Sequence, residues 1–95
     1  MNEKVARELL DGELAALRAR SYESLRDELI REERVKTIVG RDGKPYQVEI
    51  HGFWDNKRGG DLRVTVSIDD GRGWRAFFPL NDSFIISPTG DFVGE

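Results

Sequence analysis

The sequence predicts an α+β fold, with two N-terminal helices packed on one face of a four- or five-stranded antiparallel meander sheet. Apolar residues recur at helical spacing over about the first third of the 95-residue chain, and from Arg34 onward they alternate as in strands. An antiparallel sheet with one apolar face needs a cover, and two amphipathic helices can supply it. We therefore expect one domain, residues 1–95.

The helical region divides into two segments. The first carries a stripe of leucines on one side, namely Leu10, Leu14 and Leu17. Gly12 lowers the helix propensity of this segment, so it marks a point at which the helix can fray or break. Ser21 is typical of a helix N-cap, because its hydroxyl can accept a hydrogen bond from a free amide of the next turn. A second helix is predicted over residues 22–32.

The dipeptide Asp42-Gly43, between VKTIV and YQVEI, predicts the first β-hairpin. Asp-Gly favours a two-residue type I′ turn, and the length of the loop sets the register of the two strands. The predicted pairs are Val39 with Tyr46, Thr37 with Val48 and Val35 with Ile50. All six side chains are then expected on the helix-covered face of the sheet.

The third and fourth strands are predicted from the same alternation. After the connection DNKRGGD, Trp54 is expected opposite Leu62 and Val48 opposite Ile68. The stretch IDDGRGWRA then predicts a hairpin with its loop at residues 69–73, which pairs Ile68 with Trp74, Val66 with Ala76 and Val64 with Phe78. This pairing makes Trp74 and Phe78 core residues. The sequence FIIS, followed by Pro-Thr-Gly-Asp and Phe92-Val93, predicts a short closing hairpin.

Composition excludes several classes of function. Fifteen basic and eighteen acidic residues give a formal net charge of −3, which disfavours nucleic acid as a partner. The chain has no cysteine, so disulfides, zinc–cysteine sites and thiol nucleophiles are excluded. It contains neither an export signal nor an apolar run of the roughly 18 residues that span a bilayer. We expect a cytoplasmic protein that binds no membrane and no cofactor.

Two glycine-containing loops resemble ion sites but lack parts of them. An EF-hand calcium loop that began at Asp69 would need glutamate at the position of Leu80, so no metal site is expected. A phosphate loop leads from a strand into a helix, whereas both loops here lead into strands. The basic loop with Lys57 and Arg58, together with Arg63 and Arg75, stays open as an anion-binding or small-molecule-binding alternative.

The face of the sheet opposite the helices is the main candidate for binding. Its predicted members include two aromatic residues among polar ones, namely Glu49, His51, Phe53, Arg75 and Phe77. The predicted pairing also places Arg34 beside His51 and Lys36 beside Glu49. Such a face can simply be solvated, or it can dock a protein partner or a second copy of the chain. A weaker alternative is an enzyme that uses His51 and Glu49.

Residues 53–95 resemble a group of small uncharacterised bacterial proteins. The resemblance rests on aromatic and turn positions, which are Phe53, Trp54, Gly60, Asp61, Asp69, Asp70, Gly71, Trp74, Pro79 and Gly90. These are residue types of fold and turn. The resemblance therefore implies a bacterial source and no particular activity.

Overall fold

A computed structural model describes residues 1–71 and 79–95. Its elements are α1 (Glu3–Arg18), α2 (Tyr22–Leu29), β1 (Arg34–Val39), β2 (Pro45–Trp54), β3 (Leu62–Asp69) and β4 (Leu80–Ile86). The strands form one antiparallel sheet in the order β1-β2-β3-β4. The predicted α+β class, with its N-terminal helices, is confirmed, and the described residues form four strands.

A side chain caps the N-terminus of each helix. The Asn2 side chain accepts a hydrogen bond from the amide of Val5 at 3.1 Å and begins α1, which runs unbroken through the exposed Gly12. The break that Gly12 allowed therefore does not occur. Ser21 caps α2 as predicted, and its hydroxyl accepts from the amide of Ser24 at 3.1 Å. This helix ends at Leu29, earlier than predicted.

The hydrophobic core lies between the helices and one face of the sheet. α1 packs on β3 and β4, whereas α2 packs on β2 and β3. Among residues 1–71 and 79–95, the buried core residues are Val5, Ala6, Leu10, Leu17, Tyr22, Leu25, Leu29, Tyr46, Val48, Ile50, Leu62, Val64, Val66, Ile68, Phe84 and Ile86. From Leu62 to Ile68, buried and half-buried residues alternate along β3, so the period-two pattern correctly separates the two faces there.

The predicted register between β1 and β2 is wrong by one residue. The observed partners are Ile38 with Tyr46, Lys36 with Val48 and Arg34 with Ile50. A shift of one residue turns each side chain to the other face. Val35, Thr37 and Val39 therefore lie on the face of the sheet that points away from the helices. Arg34 and Lys36 lie on the helix side instead of beside His51 and Glu49.

The cause of this shift is a three-residue loop, Arg41-Asp42-Gly43. Gly43 has a φ of 77°, but no non-glycine residue among those described has a positive φ, so Asp42 cannot occupy a type I′ turn. Gly40 donates to the carbonyl of Lys44 at 2.9 Å and accepts from the amide of Gly43 at 2.9 Å. This pattern is a turn followed by a β-bulge, which adds one residue to the connection.

Two residues that flank the loop, Tyr46 and Gly40, hold it in this form. The Asp42 carboxylate accepts from the Tyr46 hydroxyl at 2.7 Å and from the amide of Lys44 at 3.2 Å. The hydrogen bond from Tyr46 lowers the pKa of Asp42. A Cβ at Gly40 would lie 2.7 Å from Val5 Cγ1 and 2.9 Å from Tyr46 Cε2, so this position has no room for a side chain.

β3 pairs with β2 in the predicted register, but its pairing on the other side differs from the prediction. On one side Trp54 lies opposite Leu62 and Val48 opposite Ile68, as predicted. On the other side Ile68 pairs with Leu80 instead of Trp74. Trp74, Ala76 and Phe78 lie outside the described residues.

Phe84 occupies the position opposite Val64 that the sequence prediction assigned to Phe78. Both WRAFF and FIIS alternate as strands do, so alternation alone could not select the segment that pairs with β3. The predicted loop at residues 69–73 is also wrong at its start, because Asp69 lies within β3. Arg72 and Gly73 lie outside the described residues.

The predicted closing hairpin is confirmed at the end of β4. Ile86 forms a bridge with Phe92, and the amide of Val93 donates to the carbonyl of Ile85 at 2.9 Å. The Phe92 ring packs edge-on against Phe84, with the centroids 5.7 Å apart. The Arg18 guanidinium lies 4.0 Å from the centre of the Phe92 ring, which ties this hairpin to the end of α1.

Candidate functional site

The candidate site is the face of the sheet opposite the helices, which we call the outer face. No helix among the described residues packs on it. Its side chains come from alternate strand positions and from the closing hairpin: Val35, Thr37, Val39, Gln47, Glu49, His51, Phe53, Arg63, Thr65, Ser67, Asn81, Ser83, Ile85 and Val93. The register aligns them in rows across the strands.

The outer face carries every large hydrophobic side chain that is exposed among residues 1–71 and 79–95. These are Val35, 54% exposed, Val39, 66%, Phe53, 45%, and Val93, 41%. They lie along the margins of the face and do not form one cluster. Val35 and Val39 lie on β1, whereas Phe53 and Val93 end a row that includes Arg63 and Ile85.

Three of the five predicted binding residues share this face. Glu49, His51 and Phe53 follow one another at alternate positions of β2. The rings of His51 and Phe53 lie with centroids 4.2 Å apart and planes inclined by 39°. Together they form a contiguous aromatic patch beside a carboxylate.

The other two predicted binding residues, Arg75 and Phe77, lie outside the described residues. The positions expected for them opposite Ser67 and Thr65 are occupied by Asn81 and Ser83. The polar rows of the face therefore read Val35–Glu49–Ser67–Asn81 and His51–Thr65–Ser83. The predicted cross-strand charge pairs of this face are wrong.

The contacts of His51 are structural ones. Its backbone carbonyl accepts from the Thr65 hydroxyl at 3.3 Å, and its ring contacts Phe53. No hydrogen bond joins the His51 and Glu49 side chains, and Ser67 lies opposite Glu49 instead of His51. The described part of the chain contains no group of three or more histidines and carboxylates that could hold a metal ion.

Arg63 belongs to the outer face and not to the basic loop. Its guanidinium is bound to Asp55 Oδ1 at 2.9 and 3.1 Å and extends to Ser83 Oγ at 3.4 Å. Lys57 and Arg58 are exposed and form no ion pair in the described part of the chain. Of the four cations of the anion-binding alternative, Arg75 lies outside the described residues, and Arg63 is paired with Asp55 on a different surface from Lys57 and Arg58.

The loop that carries Lys57 and Arg58 is anchored to α2. The buried hydroxyl of Tyr22 donates to the carbonyl of Gly60 at 2.7 Å. At the base of the loop, the amide of Asp55 donates to the carbonyl of Asp61 at 2.9 Å. These bonds fix the backbone but bring no further cation to Lys57 and Arg58.

The carboxylates of Asp69 and Asp70, beside the loop that resembles a calcium site, already have partners within the chain. Asp69 is 7% exposed, and its carboxylate accepts from the amide of Gly71 at 2.7 Å. The Asp70 carboxylate lies 3.2 Å from the amino group of Met1.

A charged cleft of about 210 Å³ lies between the helices and the β1–β2 edge of the sheet. It is lined by Glu13, Ala16, Leu17, Arg20, Glu28, Arg34, Lys36 and Ile50. Glu28 binds both Arg20 and Arg34 at 2.8 Å, and the hydrogen bond from Arg20 lowers its pKa. Lys36 lies 2.9 Å from Glu13. Each cation contacts a carboxylate, but Arg20 and Arg34 share that of Glu28, so the lining of the cleft carries a formal net charge of +1.

Sequence reasoning missed Val35, Val39 and Val93 as members of the candidate surface. The first two were assigned to the core because the loop was taken to have two residues. The bulge at Gly43 moves them to the outer face. The sequence signal that could have indicated the longer loop is Gly40. A glycine at this position permits the close approach of the backbone to Tyr46 that the longer loop requires.

Comparison with protein-family models, with curated proteins and with solved structures gave no match. The resemblance of residues 53–95 to small bacterial proteins stays a prediction. Neither described helix is long and apolar enough to cross a membrane. The cytoplasmic location also stays a prediction.

Proposed function

We propose that the protein is a non-enzymatic interaction module that binds another protein, or a second copy of itself, through the outer face. The observation that carries this proposal is the location of the exposed hydrophobic side chains. Those of the described residues all lie on the face that the helices leave uncovered. The side chains on the solvated face of a sheet are normally polar. The presence of all these exposed hydrophobic side chains on the outer face therefore favours docking of a partner there.

The composition of the outer face suits a small interface. Apolar side chains along its margins are separated by polar residues such as Glu49, Thr65 and Ser83. Interfaces combine aromatic or aliphatic anchors with a polar surround, and covering apolar surface contributes about 25 cal/mol per Å². Phe53, stacked on His51, is the natural anchor because it is large and already positioned.

The two alternative functions have less support. An anion-binding role would rely on Lys57 and Arg58 without Arg63, which is bound to Asp55. An enzyme would rely on His51 and Glu49, whose side chains no hydrogen bond joins. The outer face needs no further group to bind a partner.

The proposal is tested with a double variant, Phe53→Ser with Val93→Ser, which removes two anchors far from β1. A matched control, Lys4→Ser with Ala15→Ser, changes two exposed positions of α1. Tagged wild-type protein is used to capture partners, and each identified partner is then titrated against all three proteins by calorimetry. We expect the face variant to bind at least about tenfold more weakly, and the control to bind normally.

Thermal unfolding of the same three proteins shows whether the variants fold. A folded face variant that binds each partner, including its own copies, as tightly as wild type contradicts the proposal. Loss of binding in the control variant alone would place the interface on the helices.

A further inference from the structure

β1 is the open edge of the sheet. It is the first strand in the order, and no described strand lies beyond it. Gly40 directs both its N–H and its C=O toward the β2 side, as its bonds to Lys44 and Gly43 show. Because these directions alternate along an antiparallel strand, Val35, Thr37 and Val39 direct their backbone N–H and C=O groups away from the sheet.

The opposite edge of the sheet is closed at one end. The segment after β4 folds back, and Val93 donates its amide to the carbonyl of Ile85. β1 lacks such a cover among the described residues. It also has no proline within its six residues. Exposed strands of this kind pair with other strands unless something blocks them.

We propose that β1 pairs antiparallel with β1 of a second copy, about a two-fold axis at Thr37. In this arrangement Thr37 lies opposite Thr37 of the second copy, and Val35 lies opposite its Val39. Both outward-directed backbone sets then meet, as hydrogen bonding requires. The product is an eight-stranded sheet, with four strands from each copy.

The charged residues of β1 favour this register over the neighbouring registers of the two strands. A two-fold at Lys36 would place Lys36 opposite Lys36, and one at Val35 would place Arg34 opposite Lys36. Like charges directly across strands are destabilising. A two-fold at Ile38 avoids such contacts but pairs only the end of the strand. The two-fold at Thr37 places Lys36 opposite Ile38 and uses nearly the whole strand.

The same register explains the two exposed valines of β1. Val35 and Val39 are 54% and 66% exposed in the single chain, and they lie symmetrically about Thr37. Dimerisation sets Val35 of each copy against Val39 of the other on the outer face, and cross-strand apolar pairs of this kind stabilise a sheet. On the helix side, Lys36 keeps its ion pair with Glu13 at 2.9 Å.

This inference goes beyond the proposed function, because it concerns the backbone edge of β1 instead of the side chains around Phe53. Either can fail without the other. The Phe53→Ser/Val93→Ser variant leaves β1 intact, whereas the variants below leave Phe53 and Val93 intact.

The first test is sedimentation equilibrium of the full chain over a wide concentration range. Wild type is expected to dimerise. Thr37→Pro removes one outward N–H that β2 does not use, and edge strands tolerate proline at such positions. We expect its dimer dissociation constant to rise at least about tenfold, whereas Thr37→Val, which keeps the N–H, is expected to dimerise as wild type does.

The second test reads the register directly through charge. Val35→Lys with Val39→Glu sets lysine opposite glutamate twice across the axis and places the new lysine beside Glu49 of the same chain, so this variant is expected to dimerise. Val35→Lys with Val39→Lys sets lysine opposite lysine and is expected to be monomeric and folded by circular dichroism. A wild type that stays monomeric throughout the range overturns the inference. So does a dimer that responds equally to both charge variants.

Discussion

The two faces of the same four strands have opposite roles, and two phenylalanines show the difference. Phe84, on the helix-covered face, is 4% exposed and packs edge-on against Phe92. Phe53, on the outer face, is 45% exposed and contacts the ring of His51. An apolar side chain contributes to folding only where the fold covers it. Phe53 therefore remains available for a partner.

The largest expected effect separates these two residues. Phe84→Ala is expected to lower the free energy of unfolding by about 3–5 kcal/mol, the usual loss for a buried phenylalanine. Phe53→Ala is expected to cost less than about 1 kcal/mol, because surface substitutions seldom cost more. Urea unfolding of both variants measures the difference. Equal losses would mean that the two faces do not differ in their contribution to stability.

A second comparison uses two glycines, one against the covered face and one on the exposed side of α1. Gly40→Ala brings a Cβ within 2.7 Å of Val5 Cγ1, and we expect a loss of roughly 1–3 kcal/mol from overpacking. Gly12→Ala has open space around it in a helix and is expected to gain about 0.4–1 kcal/mol. Thermal unfolding of both variants decides this, and a stable Gly40→Ala would contradict the packing described for the first loop.

Hydroxyl groups on the two faces provide a smaller contrast. Tyr22→Phe removes the buried hydrogen bond to the carbonyl of Gly60, at an expected cost of about 1 kcal/mol. Thr65→Val removes a half-buried bond to the carbonyl of His51 on the outer face, and should cost less than about 0.5 kcal/mol. Denaturant midpoints of the two variants are the readout. A larger loss for Thr65→Val would reverse the comparison.

The smallest expected effect is a pH dependence from the helix side of the sheet. The hydrogen bond from Arg20 keeps the pKa of Glu28 below the ordinary glutamate value of 4.5. Because the folded-state pKa is lowered, the stabilisation is fully present above the ordinary value of 4.5. It is lost as the pH falls through the folded-state pKa. Glu28→Gln should flatten this part of the stability profile, measured by urea unfolding at several pH values. An unchanged profile would show that the ion pair contributes nothing.

Most of the fold could be predicted from the sequence, because local signals determine most of it. Ser21 capped its helix as expected, and β2 paired with β3 in the predicted register. Alternation of apolar residues fixes which side of these central strands is buried. The central part of the candidate surface, Glu49, His51 and Phe53, follows from the same alternation.

The remainder depended on details that the alternation does not contain. Asp42-Gly43 fits both a two-residue turn and a bulged three-residue loop, and the choice depends on the contacts of Gly40 and Tyr46. The choice of Leu80–Ile86 as the partner of β3 depends on long-range packing. The first choice places Val35 and Val39 on the outer face, and the second places Asn81 and Ser83 there, so the candidate site was predicted less completely than the fold.

The most direct measurement of the central structural claim, that two copies associate through the open edge strand β1, is amide NMR of the wild-type chain at increasing concentration. The backbone amides of Val35, Thr37 and Val39 point away from the sheet. We expect them to shift and to gain protection from hydrogen exchange as the dimer forms, while amides on the solvent side of α1 stay unchanged. Spectra that do not depend on concentration, or changes confined to the helices, would contradict this account.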